Sequence, residues 1–154
     1  MSLLSNSPPN GAHDGALASD SRLILLKDWL VSLDLADPAS ARPASADASF
    51  RRYFRVDVLP AHRQAHGDTL IVMDAPPERE NVPAFVKVDA LFAAAGVSVP
   101  AIVAQDLERG FLLLQDLGVS TYLQVLDHDN ASTMYAEALE ALVKIQKALS
   151  LIHI

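Results

Sequence analysis

Hydrophobic and polar positions alternate with three distinct rhythms along this chain. From Ser21 to Leu33 the apolar residues Leu23, Leu26, Leu30 and Leu33 recur every three or four positions, with Ile24 and Trp29 widening the stripe, which predicts an amphipathic helix. Asp20 or Ser21 can cap it, and Asp37-Pro38 stops it. From Phe50 to Val58 the period is two: Phe54, Val56 and Val58 share one face, and Tyr53, Arg55 and Asp57 the other. Thr69 to Met73 is a continuous apolar run, the pattern of a buried strand, ended by Ala75-Pro76-Pro77. The two strands predict a hairpin with a long polar connection, Leu59 to Asp68.

A second helix is predicted from about Val82 to Ala95, with Pro83 in its first turn, Gly96 at its C-terminal cap and a buried stripe of Phe85, Val88, Phe92 and Ala95. Ile102–Gln105 and Phe111–Gln115 predict short strands around a tight turn at 107–110. Asp116-Leu117-Gly118 breaks the pattern. A short helix follows from Ser120 or Thr121, then a longer one from about Ala131 with Tyr135, Ala138, Leu142 and Ile145 on one face. A loop is expected between the first helix and the strand-like region that begins at Phe50. The order predicts an α+β fold with an antiparallel sheet, without repeats.

The 154 residues suit one domain, at roughly 150 residues per domain. With 51% hydrophobic and 20% charged residues, the chain can bury a core. Its net charge of −7 argues against a nucleic-acid partner, which needs a basic face. Without cysteine there is no disulfide, thiolate zinc site or cysteine nucleophile. Residues 1–20, rich in Ser, Pro, Asn, Gly and Ala, read as a disordered leader with no secretory pattern. The longest apolar stretch, 90–104, is broken by Gly96, Ser98 and Pro100 and is too short for a bilayer. A cytoplasmic location with no membrane partner is expected.

Three segments carry a resemblance: Ala46 to Val58 (ADASFRRYFRVDV), Leu70 to Glu78 (LIVMDAPPE) and Gly110 to Gly118 (GFLLLQDLG). In this order they resemble the N-terminal lobe of the aminoglycoside phosphotransferase and choline-kinase-like family, over roughly residues 21–148. Its N-acetylmuramate/N-acetylglucosamine kinase branch is the nearest. The resemblance implies a protein-kinase-like ATP lobe over 21–118, an antiparallel sheet plus helix, and the first helices of a second lobe over 119–148. It implies ATP with Mg2+, a small-molecule sugar substrate and transfer of the γ-phosphate to a sugar hydroxyl in cell-wall recycling.

It also assigns roles. Ala46 to Tyr53 becomes the turn that covers the phosphates, here without glycine; Ser49, Phe50, Arg51 and Arg52 stand there instead. Backbone amides and guanidinium groups suit phosphate, and the bland alternative is that both arginines are solvated surface charges. The third strand of such lobes carries a lysine paired with a helix glutamate. Met73 holds that place and no glutamate follows Glu80, so Arg52, Arg55 or Lys87 is a candidate substitute, or Met73 simply packs on adenine. Leu114-Gln115-Asp116-Leu117 corresponds to the hinge. There the Gln115 carbonyl and Leu117 amide are candidates for the adenine edge, with Leu114 behind the pocket.

The HGD-x-x-x-x-N catalytic motif and the later magnesium-binding aspartate are absent from this sequence, so no catalytic residue is assigned to it. The resemblance therefore implies a fragment that is inactive alone. Residues 149–154 (LSLIHI) are those that a common transposon adapter encodes, so native sequence is expected to end near Ala148; a genuine apolar terminus is the alternative. A complete, non-catalytic α+β module binding a nucleotide or a protein would equally lack the lysine and glutamate. His62 and His66 sit between Pro60 and Gly67 and read as loop residues without a third metal ligand. Asp127, His128 and Asp129 read as a solvated turn.

Overall fold

The computed structural model describes residues 20–46 and 49–150. The expected leader, apart from Asp20, and the last four residues lie outside them. The elements run α1 (Ser21–Leu33), β1 (Ala36–Ala46), β2 (Arg52–Val58), a 3-10 turn (Pro60–His62), α2 (Arg63–His66), β3 (Thr69–Asp74), α3 (Val82–Ala94), β4 (Ile102–Asp106), β5 (Phe111–Gln115), α4 (Tyr122–Val125) and α5 (Ala131–Ser150). The strands form one antiparallel sheet in the order β1-β2-β3-β5-β4. This is the expected α+β class.

The rhythms of the sequence follow from which faces are covered. On one face α1 supplies Leu26, Trp29 and Leu30, which pack with Phe54, Val56, Leu70, Val72, Phe111 and Leu113. On the other, Val82, Phe85 and Val86 of α3 pack with Met73, Leu112 and Leu114. β3 and β5 are therefore apolar on both sides and read as continuous runs. In β2 only Phe54, Val56 and Val58 are buried, because the face carrying Tyr53, Arg55 and Asp57 stays partly open.

Three expectations are corrected. Residues 36–46 form an edge strand, not a loop. Pro38 and Pro43 are tolerated because β1 has a neighbour on one side only, and the pairing with β2 skips between Asp37 and Arg42 and again between Pro43 and Ser45. Ser40 fills the first gap: its hydroxyl accepts from the Asp57 amide at 2.8 Å. Second, α1 ends at Asp34, in the left-handed conformation with φ 51°, before Asp37-Pro38 is reached. Third, His66 belongs to the single turn of α2.

Asp20 and Thr121 stand at helix starts as expected, and Asn81 is a further cap that the structure adds. Asp20 accepts from the Leu23 amide, Asn81 from the Ala84 amide, and Thr121 with Gln124 forms a capping box on α4. On α3 the protected apolar positions are Val82, Phe85, Val86, Leu91 and Phe92, while Val88 is exposed. α5 packs against α3. Its protected stripe is Met134, Ala141, Ile145 and Ala148, which leaves Tyr135, Ala138 and Leu142 on the exposed side with Leu139 and Val143.

Candidate functional site

Two arginine-bound carboxylates stand at opposite ends of the sheet. Asp74, the last residue of β3, is completely buried on the α1 side. Arg22 of α1 donates through Nε to its Oδ1 at 2.7 Å, and Arg52 of β2 donates to its Oδ2 through Nε at 3.0 Å and Nη2 at 2.5 Å. Arg52 also pairs with Asp20, the cap of α1, and lies over the Phe54 ring. Arg22 reaches on to the Arg109 carbonyl at 2.7 Å. The node ties the start of α1 to two strands, β2 and β3, and to the β4–β5 turn. Gly110 completes the joint: at φ +76° its carbonyl accepts from the Ala75 amide, and an added Cβ would lie 1.9 Å from the Ala75 oxygen.

Asp116 follows β5 on the open side. Arg55 donates to it through Nε at 2.5 Å and Nη2 at 3.0 Å, the Thr69 hydroxyl donates at 2.7 Å, and the Gly118 amide donates at 2.8 Å. Its side chain is 6% exposed and that of Arg55 19%. The Arg55 hydrogen bond, helped by those of Thr69 and Gly118, holds the Asp116 carboxyl down at about 2 against its desolvation. The pair is therefore charged at every physiological pH.

Beside this pair lies a cleft of about 270 Å³. Its wall is built from Ala44 of β1, Tyr53 and Arg55 of β2, Ile71 of β3, Pro100, and the run Leu114 to Gly118. The surface is mostly apolar, with a backbone segment turning past its edge, the form of a site for a flat ring with polar edges.

Of the residues singled out by sequence, this brings Arg55, Leu114, Gln115 and Leu117 to one cleft. It does not bring the others there. Met73 is completely buried beneath α3 with Val82 and Phe85, a core position. Arg52 alternates onto the α1 face. Ser49, Phe50 and Arg51 lie beyond the end of β2, where the Phe50 amide donates to Glu80 Oε1 at 3.2 Å and Arg51 Nε donates to the Ser49 hydroxyl at 3.0 Å. Arg51 stands 3.9 Å from Glu80 Oε2, and Phe50 is 58% exposed under Arg79. Sequence reasoning missed Tyr53, Ile71 and Asp116 as cleft or support residues. The shared parity of Tyr53 and Arg55 could have flagged the first.

A family model described as the phosphotransferase enzyme family matches residues 40–151, which span β1 through α5. The chain belongs to the phosphotransferase enzyme family. The sheet with α3 on its cleft side is the kinase-like N-lobe that the three segments led one to expect, and α5 lies within the matched residues. Among phosphotransferase-family relatives, the chain is 49% identical over 141 residues to the N-acetylmuramate/N-acetylglucosamine kinase of Pseudomonas aeruginosa, covering 85% of this chain and 40% of that protein. The enzyme of the same name from Pseudomonas putida is 53% identical over 108 residues, 70% of this chain and 30% of that one. That from Neisseria meningitidis is 36% identical over 131 residues, 82% and 37% respectively. The chain thus spans 30 to 40% of the length of the curated relatives it matches.

Among the described residues, no three His, Asp or Glu side chains converge to hold a metal ion. No helix among them is long and apolar enough to cross a membrane.

Proposed function

We propose that this chain is the nucleotide-binding part of a cytoplasmic sugar kinase that uses ATP to phosphorylate N-acetylmuramate or N-acetylglucosamine, in cell-wall recycling. The observation that carries the reading is the cleft beside the Leu114–Gly118 segment, in a phosphotransferase-family chain with relatives of that name. Leu114, Ile71 and Tyr53 offer apolar contact to the purine ring, and the Gln115 carbonyl and Leu117 amide offer hydrogen bonds to its edge. The turn after β1 covers the phosphates, with Ser49, the Phe50 backbone and Arg51 closest to that task. Arg52 supports the turn from the opposite face through Asp74. Phosphoryl transfer is chiefly positioning and charge stabilisation, so this part contributes orientation of ATP. The aspartate that would orient the sugar hydroxyl belongs to a HGD-x-x-x-x-N loop outside this chain, together with the magnesium ligands.

The test is a coupled ADP-release assay on a longer product of the gene that includes such a loop, with each sugar in turn, beside this chain alone. ATP- and sugar-dependent turnover by the longer product, and none by the chain, is expected. A longer product that binds ATP but phosphorylates neither sugar would overturn the substrate assignment. One observation favours the rival, a non-catalytic binding module: Met73 occupies the lysine's place as plain core. Turnover by the longer product would remove that reading.

A further inference from the structure

We infer that Asp116 is a positioning residue: it fixes the backbone of Leu117 and Gly118 against the sheet and keeps Arg55 at the base-binding end of the cleft, away from the phosphates. The inference rests on the proposed nucleotide site for its functional meaning, but its geometry stands alone. One carboxylate receives four hydrogen bonds, from two neighbouring strands and from its own following turn. Arg55 pairs with Ile71, and Ile71 with Leu114, across neighbouring strands. Its side chain therefore crosses β3 to reach the segment after β5. The phosphate-covering turn meets β2 at the other end, by Arg52 and Tyr53. A guanidinium held bidentately by a charged carboxylate is pre-organised as a planar wall. Its charge is also matched there, so it is a poor substitute for the lysine missing at Met73.

Gly118 belongs to the same device. Its φ of +89° lets the chain turn back so that its amide meets Asp116 Oδ1, while its carbonyl lies 3.4 Å from Arg55 Nη2. The Asp116 side chain thus specifies the path of the two residues that edge the cleft.

The experiment uses the full chain in four forms: unsubstituted, Asp116→Ala, Arg55→Met and Thr69→Val. Amide hydrogen exchange is read at Gly118, and the affinities for adenosine, ATP and inorganic tripolyphosphate are measured by calorimetry. Asp116→Ala should speed exchange at Gly118, whose amide loses its acceptor, at least tenfold relative to Leu113. It should weaken adenosine and ATP by the same factor, about tenfold, and leave tripolyphosphate unchanged. Arg55→Met should show the same equal loss. Thr69→Val removes one of the four bonds without altering charge, and a smaller change in the same direction keeps the test readable if Asp116→Ala does not fold. Loss of ATP and tripolyphosphate with adenosine retained in Arg55→Met would overturn the inference, because Arg55 would then be a phosphate ligand. Unchanged exchange at Gly118 in the Asp116 and Thr69 variants would overturn it as well. If the unsubstituted chain binds none of the three ligands, the nucleotide reading fails, and the exchange result alone still decides the positioning role.

Discussion

Asp74 and Asp116 each end a run of apolar strand residues, and each is held by arginine, yet they do different work. Asp74 is sealed between α1 and the sheet, with two guanidinium groups on one carboxylate. Removing its charge would leave Arg52 with Asp20 alone and Arg22 with the Arg109 carbonyl alone. Asp116 sits at the opposite end and on the opposite face, where the Arg55 pair borders a cleft. The first joint holds elements together; the second holds a short piece of backbone in one path. Burial makes the difference, since the energetic weight of an ion pair grows with the water excluded from its unpaired members.

The comparison can be broken most directly at Asp74. Asp74→Ala is expected to cost about 3–5 kcal/mol in denaturant unfolding, while Arg22→Ala costs less because Arg52 still neutralises the carboxylate. An Asp74 variant no worse than an Asp116 variant would erase the distinction. Gly110→Ala follows, at roughly 2–4 kcal/mol, since its Cβ would meet a backbone oxygen that cannot step aside and its φ is positive.

Asp116→Ala is placed third, at about 1.5–3 kcal/mol, with a pH signature. The Asp116 pKa falls from 3.8 to about 2 on folding. Its contribution is therefore fully present above about pH 4 and is lost as pH falls from there towards 2. The unsubstituted chain should lose stability over that window by a margin that Asp116→Ala removes. Equal losses in both would show that the pair does not form. The smallest effect is expected at Leu142→Gln on the exposed side of α5, within about 0.5 kcal/mol in the isolated chain, against a larger loss at Ala148→Gln on the protected stripe. A larger loss at Leu142→Gln than at Ala148→Gln would mean that α5 is seated with the other face inward.

Where covering was symmetric or absent, the sequence was easy to read. β2 announced its open face by alternation, and β3 and β5 announced burial on both sides by their continuity. β1 was hidden because an edge strand with two prolines and small polar residues needs neither alternation nor apolar content. Of the proposed site, the resemblance of QDLG pointed to the cleft-lining residues Leu114, Gln115 and Leu117, and the strand pattern placed Arg55 there without its partner. Arg52 and Met73 lie away from the cleft for one reason: a motif says where a residue sits along a strand, and the covering helices decide which face is free. Strand parity already set Arg52 with Phe54 and Val56. Asp74 gave no signal, since a lone acid at a strand end is ordinary until α1 brings Arg22 to it.

The most direct measurement is a titration of the isotopically labelled chain with ATP, followed by amide chemical shifts. The account predicts saturable shifts at Tyr53, Ile71, Gln115, Leu117 and Gly118, with Arg22, Asp74 and Arg109 on the far joint unmoved. Shifts centred on Asp74 and Arg109, with Leu117 and Gly118 silent, would contradict it.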